Sequence, residues 1–180
     1  YPYQLFQAAV KSPGLVQRIV YDRQFETILE SMKGHQLGNV LSCMDTSGSM
    51  TWIDMGSVTP YDICLSMGIV FSAMNVGYFK DTVCAFSSNS QVRKLTGTFC
   101  DRVEQVRSMN AMGSTNFQSV IDLLVLIRKN NPEIPVDEYP DTLLVLSDMQ
   151  FNPPRGEDAM TNYQAAMAKL EGVGLGKTRI

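Results

Sequence analysis

Leu41-Ser42-Cys43-Met44-Asp45-Thr46-Ser47-Gly48-Ser49-Met50 is the stretch on which the fold turns. An apolar run stops abruptly at Asp-x-Ser-x-Ser. A short apolar run bounded by turn-forming residues reads as a buried strand. The carboxylate and the two hydroxyls then lie on the loop at its C-terminal end, the edge where open α/β sheets hold their ligands. Asp45, Ser47 and Ser49 alternate along a tight loop and can turn their oxygens toward one point. An all-oxygen set of this kind suits a hard divalent cation, Mg²⁺ above all. The plain alternative is a Ser/Gly turn capping a helix, and this loop alone leaves both readings standing.

Two later segments add to it. Met112-Gly113-Ser114-Thr115-Asn116-Phe117 precedes a run with helical apolar spacing, and Thr142-Leu143-Leu144-Val145-Leu146-Ser147-Asp148 is a second buried-strand run ending in a carboxylate. Taken singly, Thr115 reads as a helix N-cap and Asp148 as the cap of a turn. In a parallel sheet, however, two neighbouring strand ends and an intervening loop converge. Asp45, Ser47, Ser49, Thr115 and Asp148 then form one constellation.

With those five positions in that order, the chain resembles the von Willebrand factor A domains and their metal-ion-dependent adhesion site. Thr115 follows Asp45 by 70 residues and Asp148 follows Thr115 by 33, spacings typical of that family. The resemblance covers residues 37–180. Ser147-Asp148-Met149-Gln150-Phe151 resembles an intracellular branch found in plants and large DNA viruses, related to the A domain of Ro ribonucleoproteins. The resemblance implies a Rossmann-like α/β fold with a mostly parallel central sheet flanked by helices. It also implies a bound Mg²⁺ or Mn²⁺ contacted by Ser47, Ser49 and Thr115, with Asp45 and Asp148 binding directly or through water. Few direct carboxylates leave the cation with residual positive charge and an exchangeable water. An Asp or Glu of a protein partner can take that position, with Thr115 as the ligand that switches between direct and water-bridged contact. Gly48 and Gly113 are expected to let the loops close on the ion.

Composition sets the frame. The 180 residues suffice for one domain with a real core. The net charge is −3, so no global basic field recruits nucleic acid. No apolar stretch approaches the length that spans a bilayer. The four cysteines, Cys43, Cys64, Cys84 and Cys100, show no Cys-x-x-Cys pair, which argues against a zinc site. Three lie in apolar runs and read as buried thiols. Together with the absence of an Asn-x-Ser/Thr sequon, this favours a cytoplasmic setting.

Residues 1–36 read as an N-terminal helical extension and 37–180 as the A-type domain. Helices are expected over 3–10 and 14–33, with Leu15, Val16, Ile19, Val20, Phe25, Ile28, Leu29 and Met32 giving a partly amphipathic pattern. Strand 39–44 leads into the metal loop and a long connection over 51–59. A helix over 60–75 turns Ile63, Met67, Val70, Phe71 and Met74 inward, with Pro60 in its first turn. Strand 82–86 and an edge strand 91–95 form a hairpin. Short helix 101–108, the helix after Thr115, the strand from Thr142, Asn152-Pro153-Pro154 and a helix over 158–171 follow. An A domain continues with a fifth strand, a helix and a sixth strand. The resemblance therefore makes Thr178-Arg179-Ile180 the start of strand five, with the remaining strands missing.

Enzymatic readings fare poorly. Haloacid-dehalogenase-type phosphatases place a strand-ending Asp nucleophile beside Mg²⁺ but need a second Asp two residues on as general acid; here Ser47 stands there. Gly172-Val173-Gly174-Leu175-Gly176-Lys177-Thr178 lacks the phosphate-loop spacing, since Glu171 occupies the first glycine position. The single histidine, His35, leaves no Ser-His-Asp arrangement near Ser47. The expectation is an interaction module and not an enzyme. Trp52, beside the metal loop, is the candidate partner anchor, with core packing as its alternative. Ro-like RNA binding is the second class, although the acidic balance gives it no support. A third is a virion or assembly component that pairs with further copies or with the missing part of its own chain.

Overall fold

A computed structural model describes residues 1–34, 38–52, 58–109, 113–149 and 162–180, with only the backbone at Trp52 and Asn162. The sheet forms where the apolar runs lie. Strand β1 spans Val40–Asp45, β2 Thr82–Phe86, β3 Ser90–Lys94 and β4 Thr142–Leu146. They stand in the order β3-β2-β1-β4. β1 pairs in parallel with β2, Cys43 opposite Cys84 and Asp45 opposite Phe86, and in parallel with β4, Met44 opposite Leu146. β3 folds back antiparallel on β2, the expected hairpin edge of a mostly parallel sheet. The three parallel strands therefore end at one edge, where Asp45 stands between Ser87 and Ser147.

Every residue of β1 and β2 is buried, as a strand covered on both faces requires. Alternation divides them. Met44, Val83 and Ala85 enter one core, while Leu41, Cys43, Cys84 and Phe86 enter the other. The first core is roofed by helices α1 (Pro2–Val10), α2 (Leu15–Ser31), α4 (Pro60–Met74) and α5 (Phe99–Arg107), and the second by α6 (Gln118–Asn130) and α7 (Asn162–Glu171). α3 is a single short turn, Ser49–Trp52, where the sequence reading placed loop from Thr51 onward.

Two contacts fix β1 and with it the site. Asn75 Oδ1 accepts from the Val40 amide at 2.9 Å, and its Nδ2 donates to the Val40 carbonyl at 2.6 Å and the Phe79 carbonyl at 3.1 Å. One buried amide thus satisfies the start of the strand. Above the strand, a Cβ on Gly68 would lie 2.2 Å from Met44 Sδ. Glycine lets α4 approach β1 where any larger residue would collide.

α4 departs from its expected inner face. Cys64, Leu65, Gly68, Ile69 and Val70 are buried, while Ile63, Met67, Phe71 and Met74 are only partly so. The helix is wedged between the sheet, α1 and α5, so its apolar residues run round it. α2 differs more. Leu15, Val16, Ile19 and Val20 are exposed. Its first half faces α5 through polar groups instead: Arg18 pairs with Asp101 at 2.5 Å and with Glu104 at 3.1 Å, and Asp22 accepts from the Phe99 amide at 2.8 Å. Phe25 then packs against Phe99, ring centroids 4.7 Å apart and tilted by 31°. Leu5, Phe6, Ala9 and Phe25 join Met44 and Val83 in a single core, so the N-terminal helices are packed onto the sheet domain.

At the other end, Arg179 forms a parallel bridge with Thr142, its amide donating to the Asp141 carbonyl at 2.9 Å and its carbonyl accepting from the Leu143 amide at 2.7 Å. The residues read as a strand beginning beside β4 do pair there. The glycine-rich segment after α7 is a helix stop: the Leu175 amide reaches back to the Leu170 carbonyl at 2.8 Å, and Gly174 has φ +81°. Among the described residues no helix is long and apolar enough to cross a membrane. His35, Asn152, Pro153 and Pro154 lie outside the described residues.

Candidate functional site

Asp45 closes β1 and is wholly buried. Its Oδ1 accepts from the Ser47 amide at 2.9 Å, the local turn that Asp makes with the backbone two residues on. That turn reverses the chain and brings Ser47 and Ser49 to the same side, with their hydroxyls 3.1 Å apart. Between them the structural positions of the motif are also used. Thr46 donates its amide and hydroxyl to the Phe86 carbonyl at 2.8 and 3.0 Å, tying the loop to the end of β2. Met50 is buried beneath the turn.

The Thr115 loop meets this turn directly. The Gly48 amide donates to the Gly113 carbonyl at 3.3 Å, and the Asn116 amide donates to the Ser87 carbonyl at 2.9 Å. The Ser114 amide donates to Ser88 Oγ at 3.1 Å. Thr115 is held between these bonds with its residue buried. The N-cap of α6 is Phe117, not Thr115. The ordinary use of a threonine before a helix is therefore not the one made here.

Gly113 is required by this closure. Its φ is +114°, and a Cβ there would lie 2.4 Å from Ser88 Oγ. Gly48 has no left-handed backbone among the glycines that do; its contribution is the amide, which any residue but proline could offer. Of the two glycines expected to let the loops close, only Gly113 is needed for it.

From β4, Ser147 donates its hydroxyl to Asp45 Oδ2 at 2.5 Å. Asp148 follows, partly exposed, at the same edge. The sheet register thus carries Asp45 and Asp148 to adjacent strand ends, and the Gly48–Gly113 bond sets the Thr115 loop beside the Ser47–Ser49 turn. Among the described residues no three His, Cys, Asp or Glu side chains gather. The candidate donors at this edge are two carboxylates and three hydroxyls, a composition that would suit Mg²⁺ and not softer metals.

Cys64 lies below the edge. Its thiol donates to the Leu146 carbonyl at 3.3 Å and the Asp45 carbonyl at 3.6 Å. Burial first, then the Asp45 charge, pushes this thiol far up, so it stays a protonated packing group. Ser147, Ser88 and Thr46 tie the candidate site together in ways the sequence does not signal: Ser147 bonds Asp45, Ser88 bonds Ser114 beside Thr115, and Thr46 bonds the end of β2. A serine or threonine beside a motif carries no mark of such a role. The side chain of Trp52 lies outside the described residues.

A curated protein similar to this chain is Uncharacterized protein L728 of Acanthamoeba polyphaga mimivirus, 33% identical over 153 residues. Those residues are 84% of this chain and 25% of that protein, so the chain spans about a quarter of the relative's length. A family model matches residues 39–179, from the residue before β1 to the bridge beside β4, and takes in all five candidate ligands. On that extent, the chain belongs to the family described as Domain of unknown function (DUF7788).

Proposed function

We propose that this chain is a von Willebrand A-type interaction module. It holds Mg²⁺ or Mn²⁺ at Asp45, Ser47, Ser49, Thr115 and Asp148 and presents it to an acidic residue of a protein partner. It is not an enzyme in this reading. The observation that carries the proposal is the hydrogen bond from Gly48 to Gly113. It brings the hydroxyl turn after β1 against the loop of Thr115, at the edge where β4 delivers Asp148. Three neutral hydroxyl ligands, with the carboxylates bound directly or through water, leave a divalent cation residual positive charge, and a partner's carboxylate replaces water on it. The buried state of all four free thiols supports a reducing, cytoplasmic setting.

A displayed library of random peptides, selected on the immobilised chain in Mg²⁺ and eluted with chelator, tests the partner chemistry. The proposal expects Asp or Glu at one fixed position of the recovered peptides, with binding lost on its replacement by Asn or Gln. Recovery of peptides without an acidic position, or retention in chelator, counts against it.

A further inference from the structure

One hydroxyl at the site serves two groups at once. Ser147 Oγ donates to Asp45 Oδ2 at 2.5 Å and accepts from the Met149 amide at 2.9 Å. Asp45 is buried, and its other oxygen already holds the Ser47 amide at 2.9 Å. Both carboxylate oxygens are therefore aimed by hydrogen bonds, one from its own loop and one from β4. A carboxylate offers about four lone-pair directions, so each oxygen keeps one for a cation while its rotamer is fixed.

The second partner is unusual. Met149 has φ +64°, the left-handed region, which a side chain adopts only when its surroundings compel it. Met149 is also 66% exposed, so among the described residues no enclosing side-chain packing accounts for it. The bond from its amide to Ser147 is the restraint in view. A flexible apolar side chain is thereby presented to solvent beside the ligands, at a position suited to adaptable contacts with a partner.

We propose that Ser147 is the positioning residue of the cation site, joining the aim of Asp45 to the left-handed turn that presents Met149. The inference rests on the metal-binding reading above. A cation drawing on Asp45 holds that carboxylate still, which holds the Ser147 hydroxyl, which holds the Met149 amide. Occupancy of the site and order of the turn rise together, and the apolar contact is offered when the ion is present.

The test is calorimetry with Mg²⁺ on the wild type, Ser147→Ala and Ser147→Thr, joined to hydrogen exchange at the Met149 amide in the wild type. Loss of a group that orients a metal ligand weakens affinity about ten- to a hundred-fold, and that loss is expected for Ser147→Ala. Ser147→Thr keeps the hydroxyl and should bind within a few-fold of wild type. A serine that only supported the fold would lower the melting temperature without this affinity pattern. Mg²⁺ should also slow exchange of the Met149 amide, a readout that needs no variant to fold. Wild-type affinity in Ser147→Ala, or Met149 exchange indifferent to Mg²⁺ in a protein that binds it, overturns this inference and leaves the metal site standing. A folded wild type that binds no Mg²⁺ overturns both.

Discussion

The Gly48 amide donates to the Gly113 carbonyl at 3.3 Å, bridging two loops that lie 65 residues apart in sequence. Gly113 reaches that bond with φ +114° and with Ser88 Oγ where a Cβ would stand. Gly113→Ala is expected to cost about 1–2 kcal/mol from the left-handed backbone alone, and more from Ser88. Urea denaturation measures the loss, and Mg²⁺ titration should show weaker binding. Adding Ser88→Gly should return only the steric part. A variant of wild-type stability and affinity would mean that the loops do not need this closure.

Gly68 sets the distance between α4 and β1. Gly68→Ala forces a methyl against Met44 Sδ, and overpacking of this kind costs about 1–3 kcal/mol. Met44→Ala alone leaves a cavity costing about 2–5 kcal/mol. The double variant should lose less than the two single losses combined, because the new methyl enters the vacated space. Strict additivity in denaturation midpoints would argue that the two residues do not meet.

The thiols should be inert. Burial pushes up Cys64 and Cys100, and Cys43 is pushed up by the neighbouring Cys84 thiol and by burial. The thiolate is the reactive form. Native protein at neutral pH is expected to take up no iodoacetamide over a time in which denatured protein labels at four cysteines. Rapid labelling of any one in the native state would contradict this burial.

Acid should selectively weaken the start of α5. Thr98 donates its amide and hydroxyl to Asp101 Oδ2, each at 2.8 Å, and receives the Asp101 amide in return. These bonds, with Arg18, hold the Asp101 carboxyl below its ordinary range. A lowered folded pKa means stability that is present above the unfolded value, about 3.9, and lost as pH falls through the folded value. Asp101→Ala is expected to cost about 1 kcal/mol at pH 7, kept small by the exposure of the carboxylate. The difference from wild type should shrink below about pH 4. A difference constant down to acid unfolding would exclude the ionised cap as its source.

The sheet was readable from sequence because its strands are short apolar runs broken by polar turns: β1 and β2 fall within a residue of the expected bounds, and β4 begins at the expected Thr142. That Asp45, Asp148 and the Thr115 loop lie at one sheet edge was readable because oxygen side chains stood at those breaks. The buried face of α2 was not. Its inward positions include Arg18 and Asp22, paired with α5, while Leu15 and Ile19 point outward. Apolar spacing identifies a helix but assumes that its neighbours are apolar as well. Ser147 was hidden for a related reason: its partner Asp45 is 102 residues away, and only the pairing of β1 with β4 brings the two together.

Calorimetric titration of Mg²⁺ into the wild type and into Asp45→Ala bears most directly on the central claim. The account predicts one bound ion per wild-type chain and no measurable binding to an Asp45→Ala variant that keeps its helix and sheet content. A folded wild type that takes up neither Mg²⁺ nor Mn²⁺, or a variant that binds as the wild type does, would contradict it.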